Sequence, residues 1–201
     1  MVTDVLVAPW AELAPPYRGR TLRAADLAAL PEGGWLYELV AGRLVRMPPP
    51  NGRHGYLEAE IGGTLRAYSK AHGLGRVYVG ETGFDLTLPG EPLETVLGAD
   101  VAFLRTGRAP AEGDDEAYSA GAPDLVVEIA SPSQYRPEMG VKAWLWLQRG
   151  ARLVWVVWPQ RHQVDVWTPG QDAPVSLTIT DALDGGEVLP GLTYRLDDLF
   201  S

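Results

Sequence analysis

Leu57, Ile61, Leu65 and Tyr68 recur three or four positions apart between His54 and His72, and this single apolar face predicts one long helix. Elsewhere the pattern changes. Val101-Ala102-Phe103-Leu104, Leu125-Val126-Val127 and the run from Leu153 to Trp158 are apolar at successive positions, the pattern of strands covered on both faces. Further strands are expected at about 76–80 and 83–88, with Gln163 to Thr168 pairing beside the 153–158 strand. Trp35 to Val45 predicts a hairpin turning at Ala41-Gly42, and Pro137 opens a second helix that Gly150 stops. Thr21 is the expected N-cap of a short helix ending before Pro31. Gly62 and Gly63 cost the long helix about 1 kcal/mol each relative to alanine, which close packing against the sheet would offset.

Two acids interrupt the apolar runs: Asp100 directly precedes Val101, and Glu128 follows Val127. An unpaired buried carboxylate neutralises, pairs with a cation or binds a metal. Period-two geometry puts Asp100 beside Ala102 and Glu128 beside Ala130, small neighbours that leave room for a hydrated ion. Arginine pairing is the competing role for either acid alone. Lys142 changes the balance. The chain has fifteen arginines and only two lysines, so guanidinium serves where charge alone is needed, and a compact ammonium marks a different task. Together Asp100, Glu128 and Lys142 form the residue set of a metal-dependent phosphodiesterase. The alternative for Lys142 is a surface ion pair with Glu138, four residues earlier on the same helix.

The composition, 201 residues with 46% hydrophobic and 21% charged, suits one domain spanning 1–201: an N-terminal strap over 1–20, a core over about 20–170 and a tail over 171–201. No apolar stretch approaches the ~18 residues of a membrane span, and Asp4 stands where a signal peptide would be basic, so a cytoplasmic location is expected. The absence of cysteine excludes disulfides, thiolate metal sites and a cysteine nucleophile. A net charge of −9 argues against nucleic-acid binding through a generally basic surface. The excess acid is concentrated in Glu112–Glu116 and the tail, however, leaving Arg53 before the long helix and Arg105 after Asp100 as members of a basic rim. The five tryptophans from Trp144 to Trp167 are expected to pack the core.

The order helix, three strands, helix, strand, with acids on two strands, resembles the core of the PD-(D/E)XK nuclease superfamily. More closely, the chain resembles the Uma-type family of restriction-endonuclease-like proteins. The matching stretches are Tyr37-Glu38-Leu39-Val40-Ala41-Gly42-Arg43-Leu44, His54 opening the long helix, Ala99-Asp100-Val101-Ala102, Pro123-Asp124 through Ser131-Pro132-Ser133, and Lys142 before Gly150. Ala99 replaces the usual proline, Glu138 the usual aspartate, and Trp158 stands at a position usually acidic. Ala130 occupies the place where the superfamily often carries its lysine, which the resemblance assigns here to Lys142.

The resemblance implies an α/β fold, a restriction endonuclease-like core with a central mixed β-sheet flanked by helices and an extra N-terminal segment. It also implies a metal-dependent endonuclease that hydrolyses phosphodiester bonds in nucleic acid, with DNA the expected substrate. Asp100 and Glu128 would ligate the metal with the Ile129 carbonyl as a third donor, and oxygen ligands favour Mg²⁺ or Mn²⁺ over zinc. Lys142 would orient water or stabilise charge. Glu38 would hold a second metal or a water, unless it pairs with Arg43 or Arg46. His54 would contact phosphate at the helix N-terminus, and Ser131 a carboxylate or phosphate. Cutting both strands of a duplex calls for a homodimer. A catalytically silent nuclease-fold module that binds a protein or nucleic-acid partner is the alternative. A histidine-based hydrolase is disfavoured, because His54, His72 and His162 show no ligand spacing.

Overall fold

The Ala41-Gly42 turn closes as the sequence suggests, with both residues in the left-handed region (φ 47° and 73°) that a two-residue hairpin demands. The fold comes from a computed structural model that describes residues 9, 11–14, 17–31, 33–109 and 118–201. Most of the expected strap and the acidic middle of the loop at 105–123 lie outside the described residues. Along the chain the elements are β1 (Glu12–Leu13), α1 (Ala24–Ala28), β2 (Leu36–Val40), β3 (Arg43–Met47), α2 (Gly52–His72), β4 (Gly75–Asp85), β5 (Val96–Arg105), β6 (Ser119–Ala120) and β7 (Leu125–Ile129). They continue with α3 (Arg136–Gln148), β8 (Leu153–Trp158), β9 (Gln163–Trp167), β10 (Val175–Leu177), β11 (Ala182–Asp184), β12 (Thr193–Arg195) and α4 (Leu196–Leu199).

The first ten strands form one mixed sheet with the order β1-β3-β2-β5-β7-β8-β9-β10, and β4 pairs with β5 and with β6. β7 and β8 are parallel, with α3 as the crossover between them. One irregularity positions everything that follows. β4 covers β5 from Val96 to Arg105, whereas β2 meets β5 only at Val96 and β7 only from Val101 to Phe103. The two neighbours diverge, and the stretch of β5 between them, Leu97 to Asp100, faces a notch in the sheet.

α2 and α3 cover opposite faces. Leu57, Ile61 and Leu65 of α2 pack with Val101, Phe103, Val127 and Trp155, while Met139, Ala143 and Trp146 of α3 pack with Ala99, Ala102, Val126 and Ala130. The tail adds to the α2 side, where Leu183, Leu189, Leu192, Leu196 and Leu199 are all buried. Of the glycine pair in α2, Gly62 alone needs its missing side chain: an added Cβ would lie 2.6 Å from Val79 Cγ1, and Gly63 faces open space. The first helix starts later than expected. Leu22 N–H donates to the Gly42 carbonyl, which holds the chain extended beyond Thr21, and Arg23 is the N-cap with Asp26 accepting its N–H. Among the described residues, no helix is long and apolar enough to cross a membrane.

Candidate active site

The notch is filled by charged side chains from four elements. Gly98 of β5 has no strand partner on that side, and its N–H donates to Glu38 Oε1 (3.0 Å) from β2 while its carbonyl accepts from Lys142 Nζ (3.3 Å). Asp100 Oδ2 accepts the Ile129 N–H of β7. Side chains thus supply the ladder bonds that the diverging strands cannot make. The result is a fully covered polar cluster: Glu38, Asp100, Glu128 and Lys142 are between 1% and 3% exposed.

Lys142 does not make the surface pair with Glu138. Glu138 instead caps α3 by accepting the Tyr135 N–H, and the buried Lys142 ammonium lies 2.8 Å from Glu128 Oε2 and 3.0 Å from Glu38 Oε1. One helical turn further on, Trp146 Nε1 donates to the other Glu128 oxygen at 2.7 Å. Burial alone would lower the lysine pKa, but the carboxylates of Glu128, Glu38 and Glu81 outweigh it and hold the ammonium above its ordinary value. Burial pushes Glu128 up to about 8 against the opposing charge of Lys142.

A second group of donors meets at Asp100. His54 Nε2 lies 2.9 Å from Asp100 Oδ1, delivered by the first turn of α2, where the Asn51 side chain accepts the His54 N–H. Directly across from Asp100, the β4–β5 register shifts, so Gly80 and Glu81 together oppose that one residue in a β-bulge. Both bulge residues are left-handed (φ 80° and 58°), a costly state for glutamate. Gly98 makes room for it, since a Cβ there would come within 2.8 Å of Glu81 Oε2. His54, Glu81 and Asp100 each offer a ligand atom, all within 4.8 Å of one another. Burial and the Asp100 charge raise the Glu81 pKa well above its usual value. Asp100 itself is lowered, because His54, Glu81 and Lys142 outweigh its burial. His54 is raised, because Asp100 outweighs the opposing effect of burial.

His54, Glu81, Asp100, Glu128 and Lys142 line one cavity of about 610 Å³ together with Ile129, Ser131 and Trp35. Ser131 is on the wall, but its N–H and hydroxyl are engaged with Gln134 and Ser133. Two of the expected rim residues stand elsewhere. Arg53 reaches the Phe200 carbonyl and lies over the Tyr56 ring. Arg105 pairs with Asp124 at 3.1 Å, five residues or ~17 Å along β5 from Asp100. The arginine that does line the cavity is Arg46, stacked 3.9 Å over Trp35. Glu81 and Trp146 are the site residues that sequence reasoning passed over. Glu81 had a faint signal: Gly80 inside a strand pattern, with the apolar alternation broken between Gly80 and Gly83, marks a bulge.

A notched mixed sheet between α2 and α3, with the acids of β5 and β7 meeting a helix lysine, defines a restriction-endonuclease-like α/β protein. The profile of the Uma2 family, described as "Putative restriction endonuclease", matches residues 24–197, and the chain belongs to that family. Its fold is similar to the crystal structure of a "putative nuclease belonging to DUF820" from Anabaena variabilis ATCC 29413. The two are 22% identical, with a TM-score of 0.74 over 89% of this chain and 97% of the other. Among curated proteins, none matches the chain.

Proposed function

We propose that the protein is a metal-dependent endonuclease that hydrolyses phosphodiester bonds in DNA, working in the cytoplasm as a homodimer so that two sites can cut both strands of a duplex. The observation that carries this is the meeting of Asp100, Glu128 and Lys142 in one cavity, drawn from two strands and a helix.

The residues fit a hard divalent cation. Four carboxyl groups, from Glu38, Glu81, Asp100 and Glu128, share the site with one ammonium, and oxygen donors in negative excess suit Mg²⁺ or Mn²⁺. Asp100, Glu128 and the Ile129 carbonyl are the proposed ligands, joined by Glu81 from the bulge. A bound ion supplies Lewis-acid polarisation of a phosphate oxygen and acidification of water. Lys142 keeps its proton and stabilises the negative charge that develops on phosphorus oxygens. Glu38 holds that ammonium in place and takes no ligand role in this scheme. His54 orients Asp100 through its 2.9 Å hydrogen bond. Ser131 and Arg46 are on the wall where a phosphate would enter, and Arg53 and Arg105 are left to phosphates further along the strand.

The test is cleavage of plasmid, linear and single-stranded DNA with Mg²⁺ or Mn²⁺ by the wild type and by Lys142→Ala. Cleavage lost in the variant supports the nuclease. Equal or absent cleavage in both supports a silent binding module.

A further inference from the structure

Lys142 and Trp146 stand four residues apart on α3, the spacing that aligns side chains on one helix face. Between them they engage both oxygens of one carboxylate: Lys142 Nζ lies 2.8 Å from Glu128 Oε2 and Trp146 Nε1 lies 2.7 Å from Oε1. The last torsion of a glutamate is broad and nearly two-fold. A single contact to lysine therefore leaves the plane of the carboxylate loosely defined, and a second donor on the opposite oxygen fixes it.

Packing alone does not account for the indole. Trp146 is 0% exposed and meets Phe84 edge-on, ring centres 6.1 Å apart, a contact that phenylalanine would also make. Nor does burying an indole in this protein always deliver its N–H to an acid, although Trp158 Nε1 also donates to a buried one, Asp165, at 2.9 Å. Trp155 is equally buried, and its Nε1 has no hydrogen-bond partner among the described residues. We infer that Trp146 is a positioning residue of the active site, whose indole N–H holds Glu128 in the one orientation that serves both Lys142 and a cation in the cavity. This inference rests on the proposed nuclease site. It predicts a role for a residue that touches neither substrate nor metal, and such outer partners of metal-binding carboxylates typically matter 10–100-fold to metal affinity or activity.

Trp155 provides an internal control. Trp146→Phe and Trp155→Phe remove the same atoms from fully buried sites, the first in the core under α3 and the second in the core under α2, but only the first removes a hydrogen bond. The experiment is a Mn²⁺ titration followed by the electron paramagnetic resonance of the free ion, with plasmid cleavage and thermal melting measured in parallel. Mn²⁺ binding by Trp146→Phe about 10–100-fold weaker than by Trp155→Phe, with similar melting temperatures, supports the assignment. Equal Mn²⁺ affinity and equal cleavage in the two variants overturn it while leaving the nuclease intact. Wild-type protein that neither binds Mn²⁺ nor cuts DNA overturns the nuclease site and this assignment together. Should Trp146→Phe not fold, the ¹⁵N-labelled wild type decides: Mg²⁺ must shift one indole N–H resonance, and a titration that moves none of them overturns the role.

Discussion

The Lys142 ammonium lies 2.8 Å from Glu128 Oε2 and is 2% exposed, so a buried, charge-assisted hydrogen bond joins the helix α3 to the strand β7. Glu38 makes it a triad from the far side of the notch, 3.0 Å from the same nitrogen. Removing the one cation strands two buried acids. Lys142→Met is expected to abolish cleavage and to cost about 3–5 kcal/mol of stability, the usual penalty for breaking a buried pair from one side. Adding Glu38→Gln to Lys142→Met should return part of that stability and none of the cleavage. Urea unfolding of the two single variants and the double variant gives the coupling. Additive losses would show that Glu38 does not depend on Lys142.

The lysine can be moved. Ala130 shares its strand face with Glu128 and packs in the same core cluster as Met139 and Ala143 of α3. Ala130→Lys combined with Lys142→Ala should therefore place an ammonium beside Glu128 from the strand instead of the helix and retain measurable Mg²⁺-dependent cleavage. Complete inactivity in a double variant that is folded and still binds Mn²⁺ would show that the helix origin of the lysine is required.

The strands and helices were legible because their patterns are local: β8 is apolar at each of its positions and buried at each of them, and Pro137 and Gly150 bracket α3. Asp100, Glu128 and Lys142 were legible as exceptions to those patterns. Pairing was not, because it depends on strand order. Glu38 was expected at a second metal or a water, with Arg43 or Arg46 as the competing partner, and it meets Lys142, more than a hundred positions away, only because β2 and β7 flank the same gap along β5. Glu81 was hidden for a different reason. A carboxylate that reaches its site through a left-handed bulge leaves no apolar periodicity, and the indole donor of Trp146 cannot be told from core packing until its partner is seen.

Backbone strain at Glu81 gives a trade between stability and function. Its φ of 58° suits glycine, and its carboxyl is held against the charge of Asp100. Glu81→Gly should raise stability by about 1 kcal/mol through relief of the left-handed backbone. The same change should weaken Mn²⁺ binding and slow cleavage, since it empties one corner of the His54–Glu81–Asp100 group. Glu81→Gln, which keeps the strain but cannot ionise to meet a cation, should weaken binding without the full gain in melting temperature. A Glu81→Gly protein with unchanged Mn²⁺ affinity would remove Glu81 from the ligand set.

The same buried acids make folding stability fall as the pH rises. Between the ordinary carboxyl value of 4.5 and about 8, folded Glu128 keeps a proton that the unfolded chain releases, and Glu81, also raised, acts in the same sense. Stability decreases with pH wherever the folded state binds the extra proton. His54 adds to the slope. Its pKa is raised above 6.5, so its contribution is complete below that value and is lost as the pH passes the raised one. Asp100 is lowered from 3.8 and weakens the fold only in stronger acid, outside this window. The unfolding free energy of the metal-free protein, read from urea titrations, should therefore drop between about pH 5 and pH 8, by at most about 1.4 kcal/mol per pH unit for each proton involved. Glu128→Gln, which cannot ionise, should flatten the profile. Mg²⁺ should flatten it as well, because a bound cation favours the ionised carboxylates and replaces the proton the fold would otherwise retain. An unfolding free energy that climbs with pH across this range would mean that Glu128 is ionised throughout and that Lys142 dominates its environment.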